Sequence, residues 1–196
     1  MNTFAFMVHP LVVEDSYEKY PYLKKLPKRF AEKSLQFCRP LEISNITGIK
    51  SNYSEAEGWF ISCPLTSKQI LTLNEDYVLK KIIDTGRLAE RKGAKILGLG
   101  AFTAVVGDAG ITVAQNLNIP VTTGNSYTVA TALEGTKKAA EVMGIDFKDA
   151  EVLVVGATGS IGGVCARIIA RDARFLSIWG RDDKKLQDLR ESILRE

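Results

Sequence analysis

Gly156-Ala157-Thr158-Gly159-Ser160-Ile161-Gly162 stands between two apolar runs of different period. Before it, Val152-Leu153-Val154-Val155 is unbroken and rich in β-branched residues, the pattern of a parallel strand buried on both faces. After it, Ile161, Val164, Ile168 and Ile169 recur at helical spacing. The glycines therefore fall at a strand-to-helix turn. Such a turn suits a phosphate, because the first N–H groups of a helix lack internal partners and the helix dipole favours an anion. Glycine also leaves the backbone open to close approach. The spacing is Gly-x-x-Gly-x-x-Gly, and glycine-rich turns are common enough that an ordinary tight turn fits it too. Context selects the dinucleotide reading: residues 175–179 supply a second strand after the helix, and Gly180-Arg181 ends it where the ribose of a nucleotide would lie.

The chain has 196 residues, 45% hydrophobic and 25% charged, a globular composition with length for one large or two small domains. Its 26 basic and 23 acidic residues are too evenly balanced for a nucleic-acid surface. Cys38, Cys63 and Cys165 show no Cys-x-x-Cys spacing, so neither a disulfide framework nor a zinc site is expected, and a reducing compartment fits. Residues 4–13 are apolar but contain His9-Pro10 and lack a preceding basic residue. They match neither a signal peptide nor a membrane span of about 20 residues, so a cytoplasmic protein with no transmembrane segment is expected.

In chain order, residues 4–8 read as a strand stopped by Pro10. His9, the only histidine, is a candidate proton donor at a strand end, although a histidine beside a proline is more often structural. Lys24, Lys25, Lys28, Arg29 and Lys33 form a basic run, either a solvated face or a docking patch for an acidic partner or carrier protein. Residues 41–49 and 57–63 predict a hairpin around a polar turn, and Asn74 caps a helix that stops at Gly93. Strands are expected at 95–99 and 119–123, followed by a helix over 126–143 whose apolar side is Val129, Leu133, Thr136, Ala140 and Met143. Helix then strand, repeated, is α/β organisation. Thr123-Gly124-Asn125-Ser126 lies at a strand-to-helix turn with hydroxyls and an amide able to hold a polar substrate group, or simply to cap the helix. Cys165 reads as a small buried hydrophobe rather than a reactive thiol.

The glycine turn, Thr122-Thr123-Gly124-Asn125-Ser126-Tyr127-Thr128 and Gly100-Ala101-Phe102-Thr103 together resemble the cyanobacterial long-chain acyl-acyl-carrier-protein reductases. They also resemble the wider amino-acid-dehydrogenase and shikimate-dehydrogenase-like group. The resemblance is strongest over residues 96–169, and Gly144-Ile145-Asp146 continues it; the N-terminal third is similar only through Phe6-Met7-Val8-His9 and Ile61-Ser62-Cys63-Pro64. It implies NADPH-dependent reduction of an acyl thioester to an aldehyde through a cysteine that lies well beyond the dinucleotide glycines. That cysteine has no counterpart before Glu196, which implies a truncated or split product.

The expectation is thus an α/β protein with an N-terminal α/β substrate domain, residues 1–143, its last helix linking to the first half of a Rossmann-type nucleotide-binding domain, residues 144–196. Gly156, Ala157, Thr158, Gly159, Ser160, Ile161, Gly162 and Arg181 would bind NADP; Thr123, Gly124, Asn125, Ser126 and His9 are substrate-side candidates; no catalytic residue and no metal ligand is assigned. Arg181, with Lys184 and Lys185 nearby, favours the 2′-phosphate of NADP, while Asp182 reads as a helix cap. The substrate is small or carrier-bound. A dehydrogenase of a small polar acid, with Asn125 and Thr123 on the substrate, and a non-catalytic nucleotide-binding fragment are the rival readings. A half-domain would leave the strand at 152–155 with an open edge and an uncovered apolar face, so a homodimer, or irregular chain beyond about Asp146, is expected.

Overall fold

The computed structural model describes residues 2–196, which divide between Thr123 and Gly124 into two compact units. The first is a mixed, mostly parallel five-stranded sheet with helices; the second is built on two parallel strands. The fold is therefore α/β with a parallel-dominated sheet.

In the first unit, β1 (Asn2–Val8) pairs in parallel with β3 (Glu55–Ser62) on one side and β4 (Leu97–Leu99) on the other. Strand β2 (Leu41–Lys50) is antiparallel to β3, as the hairpin pattern predicts, and β5 (Val121–Thr122) closes the far edge in parallel with β4. The hairpin turn is held by Ser51, whose amide donates to the Ser54 carbonyl at 2.9 Å while its hydroxyl accepts from the Ser54 amide at 3.1 Å. Helix α1 (Lys28–Leu35) lies early in the chain; α2 (Ser67–Thr72) starts at Thr66, whose hydroxyl accepts from the Gln69 amide. Helix α3 (Glu75–Arg91) starts at Asn74, which accepts from the Tyr77 amide, and stops at Gly93 with φ of 86°. Its period of 3.6 places Val78, Ile82 and Ala89 against Ile61, Leu97 and Leu99 in the core. A short helix, α4 (Ile111–Gln115), precedes β5.

In the second unit, α5 (Asn125–Val142) is followed by β6 (Glu151–Val155), α6 (Ser160–Ile169), β7 (Phe175–Trp179) and α7 (Asp183–Arg195). Strands β6 and β7 are parallel neighbours, so β6-α6-β7 is a crossover unit, and regular elements rather than irregular chain continue past Asp146.

Three expectations change here. The helix assigned to the N-terminal domain belongs to the second unit, because its Val129 and Leu133 pack into the cluster of Val154, Ala166 and Ile169; the division falls at Thr123, not at 143. Only the first half of its apolar side is used, and Met143 is 73% exposed. Strand β6 is buried on one face only: Val152 and Val154 sit opposite Leu176 and Ile178 under the helices, whereas Leu153, Val155, Phe175 and Trp179 are largely exposed on the other face.

The three glycines do separate jobs. Gly156 has φ of 79°, a conformation L-residues rarely adopt. A Cβ at Gly162 would come within 2.4 Å of the Gly156 carbonyl oxygen, so α6 crosses β6 at backbone contact. Gly159 is extended, with φ of −85°, and a Cβ there would meet only the Gly156 carbonyl at 3.3 Å. Gly162→Ala should destabilise the second unit by about 1–3 kcal/mol through forced backbone displacement, whereas Gly159→Ala, which needs only a few tenths of an ångström of give from the Gly156 carbonyl, should cost less than Gly162→Ala. Urea unfolding followed by Trp179 fluorescence in a Trp59→Phe background measures both.

Candidate functional site

At the β6–α6 turn the chain leaves Val155 through Gly156, whose amide donates to the Trp179 carbonyl at 2.9 Å; the Ala157 amide donates to the same oxygen at 3.0 Å. The end of β7 therefore clamps the start of the loop. Thr158 lies against Gly180, where a Cβ would meet the Thr158 methyl at 2.8 Å, so a glycine ends β7 for a packing reason. Gly159 is the N-cap of α6, and no side chain caps that helix end. Its amides and dipole make an electropositive end at an open glycine.

Two clefts within the second unit flank Ser160 and Val164. One, of about 370 Å³, runs between α6 and α7 past Thr158, Gly159 and Ser160, with Arg167, Lys185 and Asp188 on its walls. The other, of about 500 Å³, runs between α5 and α6 and is lined mainly by Val129, Ala130, Leu133, Val164 and Ile168. Val164 and Ile168, apolar at helical spacing in the sequence, are thus cleft walls. The sheet is met by Cys165, Ala166 and Ile169 on another side of α6.

Of the substrate-side candidates, Asn125 is brought to the glycine turn, its amide Nδ2 donating to Ser160 Oγ at 3.0 Å, and Ser126 lines the apolar cleft. Gly124 opens α5 with φ of 75°. Thr123 closes the first unit, where its methyl lies 3.6 Å from where a Gly110 Cβ would stand. His9 also belongs to the first unit, at the carboxyl end of β1, where strand order reverses toward β4 and open sheets commonly take ligands. Both ring nitrogens are occupied there. The Phe102 amide donates to Nε2 at 3.3 Å and Nδ1 lies 3.0 Å from the Pro10 carbonyl, so Nε2 is the acceptor and Nδ1 the donor. The buried ring also stacks beside Phe102, with centroids 5.8 Å apart. These contacts match the structural reading of His9, tying the 100–103 loop to β1.

Arg181 is exposed beyond β7, forms no ion pair among the described residues, and is not a wall of the α6–α7 cleft; Lys185 and Arg167 are. Asp182 caps α7 through the Lys185 amide at 3.0 Å, as its position predicts. Arg167 escaped the sequence reading because it is a lone basic residue in an apolar helix, significant only once α7 is folded alongside. All three cysteines are free and buried. Burial pushes the Cys63 thiol up to about 11 and raises that of Cys165 as well. Among the described residues, no group of three or more His, Cys, Asp or Glu is placed to hold a metal, and no helix is long and apolar enough to cross a membrane.

No protein-family model matches the chain. It is 24% identical to the long-chain acyl-[acyl-carrier-protein] reductase of Synechococcus elongatus over 85% of this chain and 52% of that protein. It is 26% identical to aminotransferase PigE of a Serratia species over 94% of this chain and 22% of that protein. The chain thus spans about half the length or less of these curated relatives, and the relatedness is distant. A solved aspartate racemase homologue from Pyrococcus horikoshii covers 97% of the chain at 13% identity with a TM-score of 0.36 and 69% of its own length matched; that likeness carries no functional argument.

The thiols give a direct check on the site. Cys63 and Cys165 should stay unmodified by a thiol-specific disulfide reagent in the native protein at mildly alkaline pH and react fully on unfolding. Rapid native modification of either would show a thiol accessible enough to act as a nucleophile.

Proposed function

We propose that residues 124–196 hold an NADP cofactor in a Rossmann-type manner and that the protein is part of an oxidoreductase acting on a fatty acyl thioester. The observation that carries this reading is the division of labour at the β6–α6 turn: Gly156 makes the bend, Gly162 lets helix meet strand, and Gly159 is the least required of the three by the fold, its Cβ position meeting one carbonyl oxygen at 3.3 Å. An open glycine at an uncapped helix end is what a pyrophosphate requires. Support also comes from the distant similarity to an acyl-carrier-protein reductase.

In this reading the α6 amides and Ser160 take the pyrophosphate, and Arg181 or Lys185 takes the 2′-phosphate. When bound, the nicotinamide would supply a hydride to an acyl carbon held as a thioester on a protein cysteine. The C–S bond to that cysteine would break, its sulfur leaving as a thiol with a proton from water, and the carbonyl carbon would become an aldehyde. The apolar walls Val129, Leu133, Val164 and Ile168 suit an acyl chain better than a small polar acid, since they offer no cation to pair a carboxylate. Asn125, held on Ser160, stands at the polar end of that cleft.

Fluorescence titration with NADPH and NADH tests the cofactor assignment. Gly159→Val should fold normally and lose NADPH binding, because its side chain fills the approach to the backbone. Arg181→Ala should weaken NADPH by about 10- to 150-fold, the worth of one charge-assisted contact of about 1.5–3 kcal/mol, and leave NADH unchanged. If Lys185→Ala rather than Arg181→Ala collapses the preference, the 2′-phosphate lies in the α6–α7 cleft. Tight NADPH binding by Gly159→Val would reduce the turn to an ordinary one. With NADPH and a long-chain acyl thioester, the chain should bind cofactor yet release no aldehyde, since none of its three thiols is accessible to carry the acyl group.

A further inference from the structure

We infer that α1 and the turn before it form a docking face for an anionic membrane surface. Between residues 19 and 39 the chain carries seven Lys or Arg against a single acid, Glu32, in a protein whose net charge is only +3. This concentration is local and folded into one place. Helix α1 turns Ala31 and Leu35 inward, onto a cluster with Val13, Leu23 and Cys38. On the outward side of α1, Arg29 and Lys33, four apart, share one stripe beside Phe30, and Phe37 follows in the turn after the helix, its amide donating to the Ser34 carbonyl at 3.0 Å.

The outward aromatics are not packed on anything. Phe30 is 65% and Phe37 78% exposed, and Tyr22 and Leu26 from the preceding turn are exposed beside Lys24 and Lys25. Among the described residues Lys24, Lys25, Arg29 and Lys33 form no ion pair and no side-chain hydrogen bond, whereas Lys28 is paired with Glu14 at 2.6 Å and Glu32 accepts from the Thr66 hydroxyl at 3.4 Å. The face is cationic, uncompensated and studded with apolar side chains, so its electrostatic complement is a negatively charged surface that can also receive phenyl rings.

Shape favours lipid over an acidic protein as the occupant. Phe30 projects from a convex helix and Phe37 from the turn that ends it, and a folded protein would need matching recesses for each ring. A bilayer interface accepts projecting rings among its acyl chains while its phosphates settle around the lysines, the combination of apolar insertion and surface charge that holds interfacial helices. The inference is independent of the cofactor reading, since every residue in it lies in the first unit.

Vesicle co-sedimentation of the full chain tests it, using phosphatidylcholine alone and phosphatidylcholine mixed with phosphatidylglycerol. Binding is expected to the mixed vesicles only and to weaken as salt rises. Phe30→Ser/Phe37→Ser should reduce it by at least ~10-fold, as should Lys24→Gln/Lys25→Gln/Arg29→Gln/Lys33→Gln, through loss of inserted area and of charge respectively. Both variants alter exposed positions, and unchanged circular dichroism and melting would show that they fold. The inference is overturned by absence of binding to the mixed vesicles, by equal binding to both compositions, or by binding that survives the phenylalanine exchange. Capture of a purified acidic carrier protein through the same residues, with no vesicle binding, would assign the face to a protein partner instead.

Discussion

The second unit depends on one close approach, the backbone of α6 at Gly162 against the backbone of the turn at Gly156. With only hydrogen on either side, the helix axis lies close enough to β6 for Ala166 and Cys165 to reach the sheet, and the strand-to-helix loop is shortened to a single tight bend. That approach also aims the helix. An N-terminus held at the carboxyl end of a strand presents its unpartnered amides in a fixed direction, which a looser crossover would not do. The hydrogen bonds donated by the Gly156 and Ala157 amides to the Trp179 carbonyl fix the bend from the other side, so β7 helps hold the loop.

The same economy explains the exposed sheet face. Two parallel strands covered by helices on one side have a second side that no element of the unit reaches, and Leu153, Val155, Phe175 and Trp179 project there in register. Their apolar character is what made the strand read as buried on both faces: a sequence pattern records which face is suited to burial, not whether a covering element is present. The pattern and the exposure are therefore both informative, and the difference between them marks a surface suited to further packing.

Local signals were legible and non-local ones were not. The hairpin, the Asn74 cap, the Asp182 cap, the stop at Gly93 and the strand-turn-helix around Gly156 all follow from residues within a turn or two of each other. By contrast, the bond from the Phe102 amide to His9 spans 93 positions, and nothing near either residue announces it. Arg167 faces Lys185 across a cleft only because α7 returns beside α6, and which side of α6 meets the sheet is decided by the same long-range packing. Membership of α5 was misjudged for a related reason. Its apolar stripe runs its full length, but only the first half finds a partner, so the stripe could not say which neighbour it served.

That half-docked helix bears on how the apolar cleft works. Of the 18 residues in α5, Val129 alone is buried, and a helix so little covered draws modest stability from packing. Its later half is tied down instead by Lys137, which reaches Asp172 at 2.5 Å and lies over the Phe147 ring, and Lys137 holds the Asp172 carboxyl below its usual range. Because the depressed group is the acid, this tie is present at neutral pH and is lost only as pH falls through that lowered value. The charges are exposed and the tie is worth little by itself. Its effect is positional: it anchors the distal half of α5 while the proximal half forms one wall of a cleft whose other wall, α6, is immobilised by the Gly162 contact. A cleft with one rigid wall and one lightly held wall can widen without disturbing the glycine turn, so the width of the cleft and the geometry of the turn are carried by different elements of the same small unit.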